Sequence, residues 1–181
     1  MDRSNLLIRE KCIQLWRSGS SLRTIATAGL SMHPLIREGS TLTFIPAAAD
    51  RAITVGDIGL FERAEILVAH RIVGRFHHNG SLWLREKGDN TFLPGSFPAD
   101  SLIGRVIKIE HNGHIIDLNA LHPRITGRLI GIYWSVLFAL LRFVVAFKRI
   151  LFGASKTPRL RLYVLNTVRF FSRLPNRFTK P

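Results

Sequence analysis

The sequence predicts a mainly β protein, in which an antiparallel β domain follows a short helix and precedes a basic, apolar helical region. Short segments rich in β-branched and aromatic residues fill residues 22–118, as is typical of strands. Two Asn-Gly pairs, at 79–80 and 112–113, separate such segments, and Asn-Gly is the strongest short signal for a β-hairpin. After residue 118 the chain becomes apolar and contains no acidic residue. We therefore expect three parts, at residues 1–21, 22–118 and 119–181.

The first part is predicted to be an amphipathic helix over residues 4–18, ended by the polar run "RSGSS" at 17–21. Apolar side chains recur at helical spacing along it and define one face. That face would comprise Leu7, Ile8, Cys12, Leu15 and Trp16. The strands predicted in the second part are "TLTFIP" (41–46), "DIGLFE" (57–62), "ILVAHRIVGRF" (66–76), "SLWLRE" (81–86) and "LIGRVIKIE" (102–110).

The third part begins with a long apolar helix over residues 129–152, and a second helical segment follows Pro158, at 159–174. Polar residues recur every seventh position in the first helix and form one narrow stripe: Arg128, Ser135, Arg142 and Arg149. Three interpretations fit: a helix lying in a membrane interface, a membrane span, or a helix packed on the body or on a partner. A span would place Arg142 in the bilayer at a cost of about 2.5–3.5 kcal/mol. Of the three interpretations, we therefore favour the interfacial helix.

Charge is distributed very unevenly along the chain. The net charge is +14, of which residues 1–117 carry +2 and residues 118–181 carry +12. A wholly basic C-terminal third favours anionic surfaces, namely lipid headgroups or nucleic-acid phosphates. Of these, we expect an anionic membrane surface and not nucleic acid. The N-terminus has too short an apolar run for a secretory signal, so we expect the cytoplasmic face of the membrane.

Other residue patterns limit the class of protein. Cys12 is the only cysteine, which excludes an internal disulfide and a cysteine-rich zinc site. The sequence contains no phosphate-binding loop, dinucleotide fingerprint or HExxH motif. We therefore expect neither a metal nor a cofactor.

Ser31 and His70 are the residues most suited to carry chemistry. A serine hydroxyl is a poor nucleophile until a base accepts its proton. His70 lies inside the apolar strand "LVAHRIV", and a rigid strand can hold a base in a fixed direction. The alternative is that His70 is a structural histidine. The other strand-end histidines flank the two Asn-Gly turns and are expected to be solvated: His77, His78, His111 and His114.

Five short motifs occur in a characteristic order: "SMHP" (31–34), "GDIGLFE" (56–62), "VAHRIV" (68–73), "REKGDN" (85–90) and "LIGRVIKI" (102–109). Together they resemble the signal peptidase I superfamily of serine proteases, and most closely its Ser–His branch, found in archaea, the endoplasmic reticulum and some small bacterial peptidases. The resemblance covers residues 22–110. It implies a signal-peptidase-like antiparallel β catalytic domain.

The resemblance implies a role for each matching residue. Ser31 is the nucleophile and His70 the general base, at the position where classical bacterial members have lysine. The backbone N–H of Ser31 donates to the oxyanion, while Met32 and Pro34 hold the nucleophile turn and shape the cleft. The substrate is a leader or signal-type peptide, bound as an extended strand, with small residues before the cut.

Two positions depart from the family pattern. Many relatives have Ser-Gly directly before the nucleophile, where this chain has Gly29 and Leu30, and the Ser–His branch has an acid where this chain has Gly95. The third catalytic residue is therefore expected to be Asp89, with Asp100 or a Ser–His dyad as alternatives. Gly56 and Asp57 are expected to form a structural turn, and Lys87 is expected to be a solvated or positioning residue.

These observations together predict a serine endopeptidase of signal peptidase type, bound to the inner face of a membrane. Its substrates would be leader or signal-like peptides, or a single precursor peptide in the case of a narrow maturation protease. The alternative is a catalytically degenerate peptidase fold that acts as a basic membrane- or nucleic-acid-binding protein. LexA-type repressors are excluded because residues 1–20 are too short for their DNA-binding domain. The sequence leaves the oligomeric state open.

Overall fold

The computed structural model of the protein describes residues 3–50 and 53–152, and the helical segment expected at 159–174 lies outside them. The described chain is mainly β with a helix at each end, which confirms the predicted fold class. Two 3₁₀ turns, Ala47–Ala49 and Ala99–Ser101, interrupt the strands. The elements are α1 (Arg3–Ser18), β1 (Arg23–Ala26), β2 (Thr41–Pro46), β3 (Ile58–Arg63), β4 (Ile66–His78), β5 (Ser81–Lys87), β6 (Gly95–Pro98), β7 (Leu102–His111), β8 (His114–Asp117) and α2 (Leu121–Phe152).

The strands form one antiparallel half-barrel sheet in the order β1-β2-β7-β3-β4-β5-β6, and β8 pairs with β7 beyond the end of β3. The two predicted hairpins are present between β4 and β5 and between β7 and β8. Asn79 and Asn112 each have φ 49° and are followed by glycines with positive φ. Asn-Gly occurs at both turns because this left-handed backbone is accessible to Asn and Gly at little cost.

Buried apolar side chains of β2, β3 and β7 form the main core cluster, and α1 packs against it. Ile13 is buried against this core, and the ring of Trp16 lies 6.1 Å from that of Phe44. The predicted apolar face of α1 is therefore wrong in part, because Cys12 and Leu15 are exposed. The helix is rotated so that the pair at 13 and 16, three residues apart, faces the sheet.

Helix α2 packs on the outer face of β4 and β5. Its buried side chains Ile130, Trp134 and Phe138 contact Val73 of β4. A tight glycine contact brings the helix close: a Cβ added at Gly131 would lie 2.7 Å from the backbone nitrogen of Gly56. The backbones of α2 and of the turn before β3 can therefore approach only because these positions lack side chains.

The predicted polar stripe on α2 does not all face water. Ser135 donates a hydrogen bond to the Val73 carbonyl and lies against β4, whereas Arg128 and Arg142 are exposed. The side chain of Arg149 is outside the described residues. The stripe therefore runs along one margin of the contact between helix and sheet.

The opposite side of α2 is apolar and exposed. Leu129, Val136 and Phe143 are each more than 60% exposed and recur at helical spacing along this face. The segment Leu121–Phe147 spans 27 residues and contains an 18-residue window with mean hydropathy 2.1, which meets the length and composition of a bilayer-crossing helix. The helix thus has one face on the sheet and an apolar face without cover among the described residues.

Candidate active site

Ser31 lies in a turn after β1 that the segment 88–90 holds in place. The Asn90 backbone N–H donates to the Ser31 carbonyl at 2.8 Å, and the Asn90 side-chain amide donates to the Leu30 carbonyl at 3.1 Å. Met32 is buried, and its sulfur accepts the Asp89 N–H at 3.3 Å. The segment 88–90 therefore positions the serine turn.

Met32 and Pro34 have different relationships to the serine turn. Met32 is 2% exposed and belongs to the main core cluster, so it anchors the turn from below. Pro34 is half-buried at the edge of a groove between the serine turn and the start of α2. Met32 therefore holds the turn, and Pro34 lines an open surface next to it.

His70 and Ser31 meet as the sequence predicts. His70 lies on β4 opposite Gly59 of β3 and is 8% exposed. Its Nε2 atom lies 2.9 Å from the Ser31 hydroxyl oxygen. This is hydrogen-bonding distance for a serine and the base that accepts its proton.

Glu86 on β5 provides the carboxylate that bonds His70. Its Oε2 atom lies 2.5 Å from His70 Nδ1, and its Oε1 atom accepts a hydrogen bond from Arg63 at 2.6 Å. Burial alone would raise the pKa of Glu86, but the bonds and charges of His70 and Arg63 outweigh it and lower the pKa. An ionised carboxylate at Nδ1 favours the tautomer with the proton on Nδ1, which leaves Nε2 free to accept from Ser31.

The expectation that Asp89 orients His70 is wrong. Both oxygens of Asp89 bond the guanidinium of Arg71, at 2.9 and 2.6 Å, and both side chains are buried. Arg71 follows His70 on β4, and successive strand residues point to opposite faces, so the Arg71–Asp89 pair lies away from the imidazole. Asp100 is exposed in the turn Ala99–Ser101. The carboxylate that contacts His70 is therefore that of Glu86, and not that of Asp89 or Asp100.

Of the two roles expected for Lys87, solvated or positioning, the structure fits the positioning one. Lys87 is 1% exposed, its ammonium donates to the Gly88 carbonyl at 3.0 Å, and it lies 3.7 Å from the ring centroid of Trp134. Burial lowers the pKa of Lys87 to about 8, and the charge of Asp89 offsets this only in part. Lys87 therefore connects α2 to the segment that holds Ser31.

Gly88 allows the close packing around the Ser31–His70 pair. A Cβ at Gly88 would lie 2.6 Å from the Ser31 carbonyl oxygen and 3.0 Å from His70 Nε2, so only glycine lets this segment pass so close to the pair. At Gly29, by contrast, a Cβ would meet no atom within 4 Å, and the neighbouring Leu30 is exposed. Gly56 has φ +98° and adjoins Asp57, whose carboxylate caps Thr54 at 2.8 Å, so the predicted structural turn is confirmed.

Comparison with known proteins adds no assignment, because neither protein-family models nor curated protein sequences match this chain. Within the described ranges, no three His, Cys, Asp or Glu side chains converge in a way that could hold a metal ion. The chemistry of the site therefore has to be argued from the hydrogen-bonded series Ser31–His70–Glu86. Of its three members, sequence reasoning missed Glu86.

Proposed function

We propose that the protein is a serine endopeptidase of signal peptidase type that cleaves leader or signal-like peptides. The observation that carries this proposal is the 2.9 Å contact between Ser31 Oγ and His70 Nε2, continued by the 2.5 Å contact between His70 Nδ1 and Glu86. A serine, an imidazole and a buried carboxylate in this order form the arrangement that activates a hydroxyl for acyl transfer.

The reaction has two stages. Ser31 Oγ attacks the scissile carbonyl carbon while its proton passes to His70 Nε2, and the Glu86 carboxylate stabilises the imidazolium that forms. The tetrahedral intermediate then collapses: the C–N bond breaks, and His70 gives its proton to the leaving amine. A water molecule, deprotonated by His70, hydrolyses the acyl-enzyme and restores the Ser31 hydroxyl.

The edge of β4 beside His70 supports the expected mode of substrate binding. Residues 66–71 of β4 pair with β3, but pairing with β5 begins only at Arg71. Among the described strands, none pairs with the other side of residues 66–70. An extended peptide could add to this edge as a further strand, which would bring its carbonyl carbon next to Ser31.

The departure at Gly95 no longer favours a catalytically degenerate protein. The expected acid is absent there, but Glu86 supplies a carboxylate to His70 from the neighbouring strand. The alternative of a catalytically degenerate protein therefore depends on position 29 alone, where many relatives have a serine hydroxyl and this chain has Gly29.

We also propose that α2 attaches the protein to a membrane as an interfacial helix, at the cytoplasmic face. One side of its middle turns packs on the sheet, whereas a crossing helix would have lipid or other membrane-embedded helices there. The apolar face of α2 would enter the acyl boundary, and Arg128 and Arg142 would lie at headgroup level. The basic residues beyond α2 would add about 1 kcal/mol each on an anionic leaflet.

The proposed activity is tested by incubating the purified protein, with anionic vesicles, with a mixture of precursor peptides and sequencing the new N-termini. The wild type and the His77→Ala variant, which alters an exposed histidine on the same strand, are expected to produce the same new termini. Ser31→Ala and His70→Ala are expected to produce none. New termini that persist in Ser31→Ala, or no cleavage by the wild type, would contradict the proposal.

A further inference from the structure

A groove of about 620 Å³ lies between β5 and the second half of α2, away from the serine turn. Its walls are mostly apolar and include Phe138, Leu141 and Val145. Two arginines, Arg85 of β5 and Arg142 of α2, also line it. The groove thus combines an apolar surface with two cationic groups.

The two arginines are close enough to repel each other. Burial, and then the positive charge of Arg142, lower the pKa of Arg85. The Arg85 guanidinium lies 5.2 Å from the ring centroid of Phe76, a cation–π contact that adds no negative charge to the groove. Two like charges at one groove are unfavourable unless an anion lies between or beside them.

The chain has little means of supplying that anion. Among the described residues, neither Arg85 nor Arg142 forms an ion pair with a carboxylate. No Asp or Glu occurs from residue 118 to residue 181, so the segment after α2 adds no acidic side chain. The charge pattern therefore points to an anion from outside the protein.

We propose that this groove binds one anionic phospholipid, with its phosphate at Arg85 and Arg142 and an acyl chain along Phe138, Leu141 and Val145. Arginine pairs phosphate oxygens through two parallel hydrogen bonds. Beyond Arg142 the helix exposes Phe143, Val144 and Phe147, so the apolar groove wall continues onto a surface suited to acyl chains. A soluble phosphate would leave this apolar wall unused.

The inference rests on the membrane attachment proposed above and is independent of peptide cleavage. It predicts one discrete lipid site. A diffuse attraction of basic residues to an anionic surface would instead bind no single lipid. A short-chain lipid that stays monomeric separates these two cases, because a lipid monomer presents no charged surface.

The experiment is native mass spectrometry of the full chain in non-ionic detergent, titrated with monomeric dihexanoyl phosphatidylglycerol. We expect one bound lipid. Arg85→Gln/Arg142→Gln should weaken binding about tenfold or more, because the charge-assisted hydrogen bonds from both guanidinium groups to the phosphate are lost. The control Arg124→Gln/Arg128→Gln removes the same charge from exposed positions of the same helix and should change the affinity less than about threefold.

Two further ligands and one independent readout complete the test. Dihexanoyl phosphatidylcholine, which is zwitterionic, and glycerol 3-phosphate, which lacks acyl chains, should each bind about fivefold or more weakly. Equal binding of either one, or equal losses in the two double variants, would overturn the inference. Failure to bind any lipid while Ser31 still reacts with a phosphonate probe would overturn it and leave the peptidase proposal standing.

Discussion

Glu86 and Gly95 face each other across the β5–β6 pair, and the Glu86 carboxylate occupies the volume that a side chain at position 95 would fill. A Cβ at Gly95 would overlap Glu86 Oε1 and lie 2.6 Å from Arg63 Nη2. Position 95 is where the resemblance places an acid. In this chain a neighbouring strand supplies the carboxylate instead, and glycine at 95 leaves it room.

The first prediction follows from this shared volume. Gly95→Ala should push the Glu86 carboxylate off His70 and lower kcat about 10²- to 10⁴-fold, the range expected when an orienting acid is lost. Glu86→Ala should cost as much, and the double variant Glu86→Ala/Gly95→Asp should recover part of the loss. Peptide cleavage rates measure all three, and thermal unfolding controls for folding.

This prediction has a clear contradictory outcome. If Gly95→Ala keeps wild-type activity, the Glu86 carboxylate does not need the position it occupies. If the double variant is no better than Glu86→Ala alone, positions 86 and 95 do not serve the same carboxylate site.

The second prediction separates the two buried carboxylates of the 85–90 segment. Asp89→Ala leaves the buried Arg71 guanidinium without a carboxylate and with only the Gly56 carbonyl as a partner, so the free energy of unfolding should fall by about 3–5 kcal/mol. Glu86→Gln should instead lower kcat strongly with a smaller effect on stability. Urea unfolding and cleavage rates at 10 °C distinguish the two, and equal activity losses per folded molecule would count against the assignment.

The third prediction concerns the close approach at Gly88. Gly88→Ala adds a Cβ 2.6 Å from the Ser31 carbonyl oxygen, which is backbone and cannot easily move. Cleavage should fall about 10²-fold or more because the Ser31–His70 distance increases. Gly29→Ala, two residues from Ser31 but with open space around it, is the matched control and should stay within about threefold of the wild type.

The fourth prediction is a pH dependence caused by Lys87. Its pKa is lowered from 10.5 to about 8, so between these values the unfolded chain binds a proton there that the folded chain has lost. The Lys87 contribution to the free energy of unfolding should therefore rise with pH from about 8 to 10.5. Urea unfolding at several pH values should show a shallower rise for Lys87→Met than for the wild type, and parallel curves would refute this role.

The strand pattern could be predicted from the sequence where local signals are strong. The five longer strands and both Asn-Gly hairpins follow from alternation and turn chemistry, and the structure has them within about two residues. β1 and β6, of four residues each, were missed. Such short strands form because the sheet offers them a partner, and their own sequence carries little periodicity.

The site could be predicted only in part, for a reason that lies in strand geometry. Ser31 and His70 were identified from motifs. Glu86 was missed because an acid on a strand usually faces solvent, although its alternation with the buried Leu84 shows that it faces inward. Asp89 was misassigned because its partner Arg71 adjoins His70 in sequence but points to the other face of β4. Side-chain direction, more than spacing along the chain, decides these pairings.

The most direct measurement is the rate at which a fluorophosphonate probe modifies Ser31, followed by peptide mass spectrometry. We expect modification at Ser31 in the wild type and none in Ser31→Ala. In His70→Ala the reaction should be slower by about 10²-fold or more, because the hydroxyl has lost its base. An unmodified Ser31 in the folded wild type, or an equal rate in His70→Ala, would contradict the claim that His70 activates Ser31.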